Sequence, residues 1–180
     1  MVSIGTKQGE NKYLEILRQG VDTWNIWKKN HPNETINFNE TNLIGANLIG
    51  INLSQANLIK INLIGADLRG ADLSETDLRE AKLFTANLIG ADLNGADLRG
   101  AHLIGADLRR SNLERTNLIA ANLSGADLQE AIFNQTDFRK TKLFTTNFIG
   151  TDINETIGIN PEELVEMNIT DEEIRQALKI

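Results

Sequence analysis

From Ile36 to Glu155 one position in every five is a large apolar residue, running Phe38, Leu43, Leu48 and onward to Phe148 and Ile153. There are twenty-four in succession, always Leu, Phe or Ile, and no insertion breaks the register. One apolar position in five fits neither the 3.6-residue period of a helix nor the two-residue period of a strand. The chain must therefore bend at regular intervals and keep returning one residue type to a shared axis. Such self-similarity predicts a solenoid, in which residues distant in sequence stack into ladders and local spacings mislead.

The residue two before each central position is small: Ala thirteen times, Thr seven times, Ser111 once, and Ile only at Ile36, Ile51 and Ile61. A narrow interior filled to native density needs large and small side chains in alternation. The coil that holds Ile51 and Ile61 is therefore expected to be swollen or bulged.

Written as A-D/N-L-x-x, in stretches such as Ala66-Asp67-Leu68-Arg69-Gly70 and Ala96-Asp97-Leu98-Arg99-Gly100, the repeat resembles the pentapeptide-repeat family. The resemblance implies an all-β solenoid: a right-handed quadrilateral β-helix with four pentapeptides per coil. The central residue and the small residue two before it then point inward, and the other positions face solvent. Twenty-four pentapeptides make about six coils, and at the usual strand spacing of about 4.8 Å the column is about 29 Å long.

A solenoid needs caps, because its end coils would otherwise expose an apolar core and unpaired strand edges. Three segments follow: a helical cap over 1–35, the β-helix over 36–155, and a second helical cap over 156–180. Leu14, Leu17, Val21 and Trp24 fall at helical spacing and predict one amphipathic helix from about Asn11 to Lys29, covering the coil of Phe38 and Leu43. Together with Trp24-Asn25-Ile26-Trp27 and the Asn30-His31-Pro32 stop, this is similar to the helical lead-in of some cyanobacterial members of the family. At the other end, Asn160-Pro161-Glu162-Glu163 and Thr170-Asp171-Glu172-Glu173 each read as a helix start. That pair either closes the last coil or joins two molecules, so self-association through a terminal cap is an expectation.

The net charge of −7 argues against general nucleic-acid binding, which needs a basic surface. Zero cysteines remove thiolate and disulfide chemistry. The N-terminal residues show no signal-peptide pattern and no apolar run reaches membrane-spanning length. The expectation is a cytoplasmic protein without direct membrane contact. Candidate chemistry is sparse. His31 and His102 have no metal-ligand company, and once the chain is wound four to a coil Asp92, Asp97 and Asp107 fall on different faces. Asp77 stacks above Asp97, with Arg79 and Arg99 beside them, which reads as a compensated cross-coil ladder. No catalytic, metal or cofactor site is expected, and no enzyme.

The outward residue after each central one is more telling. On the face of Leu43, Leu63, Leu83, Leu103, Leu123 and Leu143 these residues are Ile44, Ile64, Phe84, Ile104, Ser124 and Phe144. The face of Leu53 has only Ser, Asn and Glu there. A continuous apolar strip marks a contact surface or an area covered by a terminal segment. The leading reading is a non-catalytic rod that binds a protein partner through the stripe Ile44, Ile64, Phe84, Ile104 and Phe144. The alternative is a DNA-mimicking regulator of a type II topoisomerase, supported by fold, length and acidic balance. Arg69, Arg79, Arg99, Arg109, Arg110, Arg115 and Arg139 stand against it, since they neutralise the charge that a phosphate mimic needs.

Overall fold

The computed structural model describes residues 12–159. From Asn37 to Ile157 the chain forms parallel bridges, each joining a residue to the one twenty positions on: Asn37 with Asn57, Asn42 with Asn62, and so on to Asp137 with Ile157. Twenty residues, or four pentapeptides, therefore make one turn of a four-sided column. Each central residue donates its N–H to the next coil, as Leu98 does to the Asn117 carbonyl at 2.8 Å. The central Leu, Phe and Ile side chains from Phe38 to Ile153 are buried, as are nearly all of the small residues two before them. The ladder runs two residues beyond Glu155.

Each corner is a tight turn. The N–H of the small residue returns to the carbonyl of the preceding central residue, as Ala101 does to Leu98 at 3.0 Å. The residue two after the central one sits at positive φ, from Glu40 at 57° and Gly45 at 62° to Gly150 at 74°. A type II turn asks for this conformation at that position, which is why glycine recurs there. Where glycine is absent, as at Lys60 and Arg115, an ordinary side chain is held at φ 57° and 54°.

A second device explains the Asp or Asn before each central residue. Its side-chain oxygen accepts the backbone N–H two residues on. On the Leu48 face Asn47, Asp67, Asn87, Asp107, Asp127 and Asn147 all do so. This local turn satisfies a donor that the ladder leaves over at the corner. The buried hydroxyls are satisfied as well. Thr76 and Ser111 donate to the carbonyl three residues back, while Thr116 and Thr136 reach the Leu93 and Leu113 carbonyls of the preceding coil.

The swelling expected at Ile51 and Ile61 does not occur. Both side chains are fully buried, and the adjoining bonds, Asp72 N–H to Ile51 O and Lys82 N–H to Ile61 O, are 2.9 Å, the same as Asn87 N–H to Ala66 O. The interior takes up the added methylenes and the ladder is unchanged.

The N-terminal segment differs from the single helix expected. It holds α1 (Lys12–Arg18) and α2 (Val21–Asn30), broken at Gly20, whose φ of 110° and ψ of 164° no helix can accommodate. The amphipathic pattern ran through the break because both helices lay an apolar edge on the same coil. Tyr13 and Trp24 pack on Phe38 with ring centroids 6.0 and 5.4 Å away. Trp24 Nε1 donates to the Asn52 carbonyl at 2.6 Å, and Asn25 Oδ1 accepts the Asn52 N–H at 2.8 Å. These two side chains supply, at Asn52, the pair of bonds that a preceding coil would make.

At the far end Phe133, Phe138 and Phe148 form an aromatic cluster with centroids 5.3 to 6.2 Å apart. The last bridge depends on Gly158. At φ 82° a Cβ there would lie 2.6 Å from Arg139 Cγ and 2.8 Å from its backbone nitrogen, so a larger residue would push Ile157 off the ladder. The helices expected from Asn160 and Thr170 lie outside the described residues.

Replacing Leu98 with Asp should abolish the folded state, since a buried carboxylate without a partner costs several kcal/mol in a core that offers none. Arg99→Ala, at an exposed outward position, should leave the thermal transition where it is. An intact melt for Leu98→Asp would place the central residue outside the core.

Candidate interaction face

The four faces differ in how their outward positions are used. On the Phe38 and Leu48 faces all the aspartates but Asp127 are neutralised within their own pentapeptides. Arg69, Arg79, Arg99, Arg109 and Arg139 each place Nη2 2.6 Å from the Asp two residues before. The cross-coil contacts expected from the stacking are longer, 3.9 Å from Arg79 to Asp97 and 3.8 Å from Arg109 to Asp127. The two-residue separation wins because both side chains leave the same corner in the same direction. Hydrogen bonds from these guanidiniums, and then from the arginine N–H groups, hold the carboxyls of Asp67, Asp77, Asp107 and Asp137 below their ordinary range.

The Leu53 face is polar and carries most of the carboxylates that lack an arginine, among them Asp72, Glu75, Asp92 and Glu114. Its negative run is interrupted by Arg115, bound to Asn94 Oδ1, and by the exposed Ile132.

The Leu43 face lies opposite. Its six outward pairs are Asn42 and Ile44, Asn62 and Ile64, Lys82 and Phe84, His102 and Ile104, Asn122 and Ser124, Lys142 and Phe144, with no carboxylate among them. The stripe is open: Ile44 is 49%, Ile104 39% and Phe144 73% exposed, while Ile64 and Phe84 are half-buried. Phe84 is shielded by His102, whose ring stacks on it at 5.5 Å and 8°. Ile44 is uncovered by α1 and α2.

The side-chain acceptor before the central residue is missing at half the rungs of this face. Asn42, Asn62 and Asn122 accept the N–H of Ile44, Ile64 and Ser124 in the usual way. Lys82, His102 and Lys142 replace that acceptor at the other three rungs, and Ile132 is the single such replacement on the remaining faces. At two of these rungs the turn residue is Thr85 or Thr145, β-branched yet held at φ 53° and 55°. The left-handed conformation costs an L-residue about 1–2 kcal/mol, and a forgone hydrogen bond about 1 kcal/mol. Both costs fall on one motif, Lys-Leu-Phe-Thr, at 82–85 and again at 142–145, three coils apart on this face, and once on the opposite face, at Ile132 and Gln135. The recurrence was readable in the sequence; the cost became visible only with the backbone angles.

His31 stacks on Trp27 and holds the Trp27 carbonyl through Nδ1 at 2.8 Å. Among the described residues no group of His, Cys, Asp or Glu could hold a metal ion, and no helix is long and apolar enough to cross a membrane.

Comparison with known proteins points one way. The family model described as pentapeptide repeats matches eight copies over residues 36–60, 46–83, 61–100, 81–118 and 121–157. That family folds as a right-handed quadrilateral β-helix. A pentapeptide repeat protein of the Arabidopsis thaliana thylakoid lumen is 24% identical, with a TM-score of 0.51 over 63% of this chain and 87% of that one. Rfr23, from the cyanobacterium Cyanothece 51142, is 28% identical, with a TM-score of 0.44 over 77% of this chain and 99% of that one. QnrB1, a plasmid-mediated fluoroquinolone resistance protein, is 18% identical, with a TM-score of 0.35 over 74% and 86%. No curated protein matches the chain.

The Asp–Arg pairs set the acid response. A carboxyl whose folded pKa is depressed contributes stability that is complete above the unfolded value, about 3.9, and is lost as pH falls through the folded value. The melting temperature should therefore hold from neutral pH to about pH 5 and fall below about pH 4, with a shallower fall in Arg79→Met. Loss beginning near pH 6, followed by calorimetry, would show that groups other than these carboxyls set the response.

Proposed function

We propose that this chain, which belongs to the pentapeptide repeat family, is a non-catalytic binding rod that engages a protein partner through its Leu43 face. In this reading six coils form a stiff column, α1 and α2 close its N-terminal end, and the stripe of Ile44, Ile64, Phe84, Ile104 and Phe144 is the contact surface. One observation carries it: on the most apolar face three of six rungs, at Lys82, His102 and Lys142, lack the side-chain acceptor, and two of those three hold a β-branched residue, Thr85 or Thr145, at positive φ. Forgone bonds that cluster on one face of a repeating scaffold accompany function more than packing. Phe84 and Phe144 suit the part, because aromatic anchors dominate interface energies.

The second reading, a DNA mimic acting on a type II topoisomerase, needs an unbroken band of negative charge along the column. The Leu53 face comes nearest, and there Arg115 and Ile132 interrupt the band. On the two neighbouring faces the arginines at 69, 79, 99, 109 and 139 hold their aspartates in close pairs. The binding rod is the better supported reading.

Phe84→Asp combined with Phe144→Asp should abolish association with the partner while β-sheet circular dichroism and melting temperature stay unchanged, since both side chains stand outside the core. The unaltered protein should leave gyrase supercoiling unaffected at micromolar concentration. Inhibition of gyrase that survived loss of the stripe would favour the mimic.

A further inference from the structure

Resting on the reading of the Leu43 face as a contact surface, we infer that its occupant is an acidic amphipathic α-helix of a partner protein, laid along the column axis. Its apolar edge meets Phe84 and Phe144, and its carboxylates meet Lys82, Lys140 and Lys142.

The backbone excludes the main competitor. A strand can add itself only where N–H and C=O groups stand free in a row. On this face those groups are taken up between coils: Leu83 N–H by the His102 carbonyl at 2.8 Å, His102 N–H by the Ala81 carbonyl at 2.9 Å, and Thr85 N–H by the Ile104 carbonyl at 3.0 Å. The groups left over, the backbone N–H of Phe84, Ile104 and Phe144, are single donors on separate coils with no free carbonyl between them, so side chains make the contact.

The spacing of those side chains suits a helix. Successive rungs are about 4.8 Å apart along the axis, as strands in a sheet are. Helix residues three and four apart rise about 4.5 and 6 Å, which keeps one helix edge in step with the rungs. Alternate residues of a strand laid along the same line are about 6.6 Å apart and fall out of step within two rungs. Phe84 and Phe144, three rungs apart, are separated by about 14 Å, close to ten residues of helix.

Charge decides the sign of the partner. The face itself carries Lys82, Lys142 and His102 and no carboxylate. At the adjoining corner the carboxylates are Glu40 and Glu80, with Glu80 3.6 Å from Lys60, and beyond them the corner residues are Gly100, Ala120 and Lys140. The positive groups therefore gather around Phe144, the most exposed apolar side chain of the stripe. In a protein of net charge −7, this complementarity selects an acidic partner over a basic one.

The test titrates the full chain with two synthetic 18-residue helical peptides that share a Leu edge at three- and four-residue spacing. One carries Glu on its flanks and the other Lys, and binding is read by fluorescence anisotropy at low and moderate salt. The acidic peptide should bind at least tenfold more tightly than the basic one, and weaken with salt. Phe84→Ser with Phe144→Ser should remove that binding, and Lys82→Gln with Lys142→Gln should cut it several-fold and flatten the salt dependence. Equal binding of both peptides that still requires the two phenylalanines would overturn the acidic helix and leave the contact surface standing. Binding indifferent to the phenylalanines would overturn both. Failure of both peptides to bind would overturn the helix, as would a stripe-dependent dimer in sedimentation, which assigns the face to a second copy.

Discussion

Everything in this molecule depends on closing a square turn every five residues while keeping each coil in register with the next. The hydrogen bond from the small residue back to the preceding central carbonyl bends the chain, and the positive φ one position earlier permits the bend. The ladder to the residues twenty positions away then fixes the register. Because the closure repeats without insertion, a single period decides which side chains are inside, which corners need glycine and which outward residues share a face. The apolar core follows from that closure, since Leu, Phe or Ile paired at all but three rungs with Ala, Thr or Ser fills the space four corners leave.

The ends follow from the same constraint. An unfinished coil presents the bonds that its neighbour would have taken, and Trp24 and Asn25 meet part of that demand at Asn52 with side chains in place of a strand. Aromatic rings gather at both ends, around Phe38 and around Phe133, Phe138 and Phe148, while the central positions from Leu43 to Leu128 are all leucine. The middle of the column is uniform because every rung meets the same neighbours. Its ends are not, and there the larger rings pack on one another.

The inward positions, the four faces and the apolar stripe were legible in the sequence, because each follows from counting in fives. The break at Gly20 was less so: Leu17, Val21 and Trp24 keep helical spacing across it. The spacing reports which side faces the column and not whether the axis is continuous. The Asp–Arg pairing was read across coils from stacking, yet Arg79 closes on Asp77 in its own pentapeptide, a matter of side-chain direction that counting does not reach. The strain at Thr85 and Thr145 was hidden for a like reason, since the residue type is visible and the backbone angle is not. Those two threonines, with Lys82 and Lys142 beside them, turn a modest apolar stripe into a face that departs from the scaffold's own rules.

That departure is the centre of the account, and equilibrium urea unfolding of one regularised variant tests it directly. Lys82→Asn, Thr85→Gly, Lys142→Asn and Thr145→Gly together would give both rungs the side-chain acceptor and the glycine turn found elsewhere on the column. If the face is kept for contact at the expense of stability, the variant should be more stable than the natural chain by about 2–4 kcal/mol, from two regained hydrogen bonds and two relieved turns less about 1 kcal/mol per glycine for the freer unfolded chain. An unchanged or lowered unfolding midpoint would show that Lys-Leu-Phe-Thr is simply another way to build a stable rung, and would remove the reason for singling out this face.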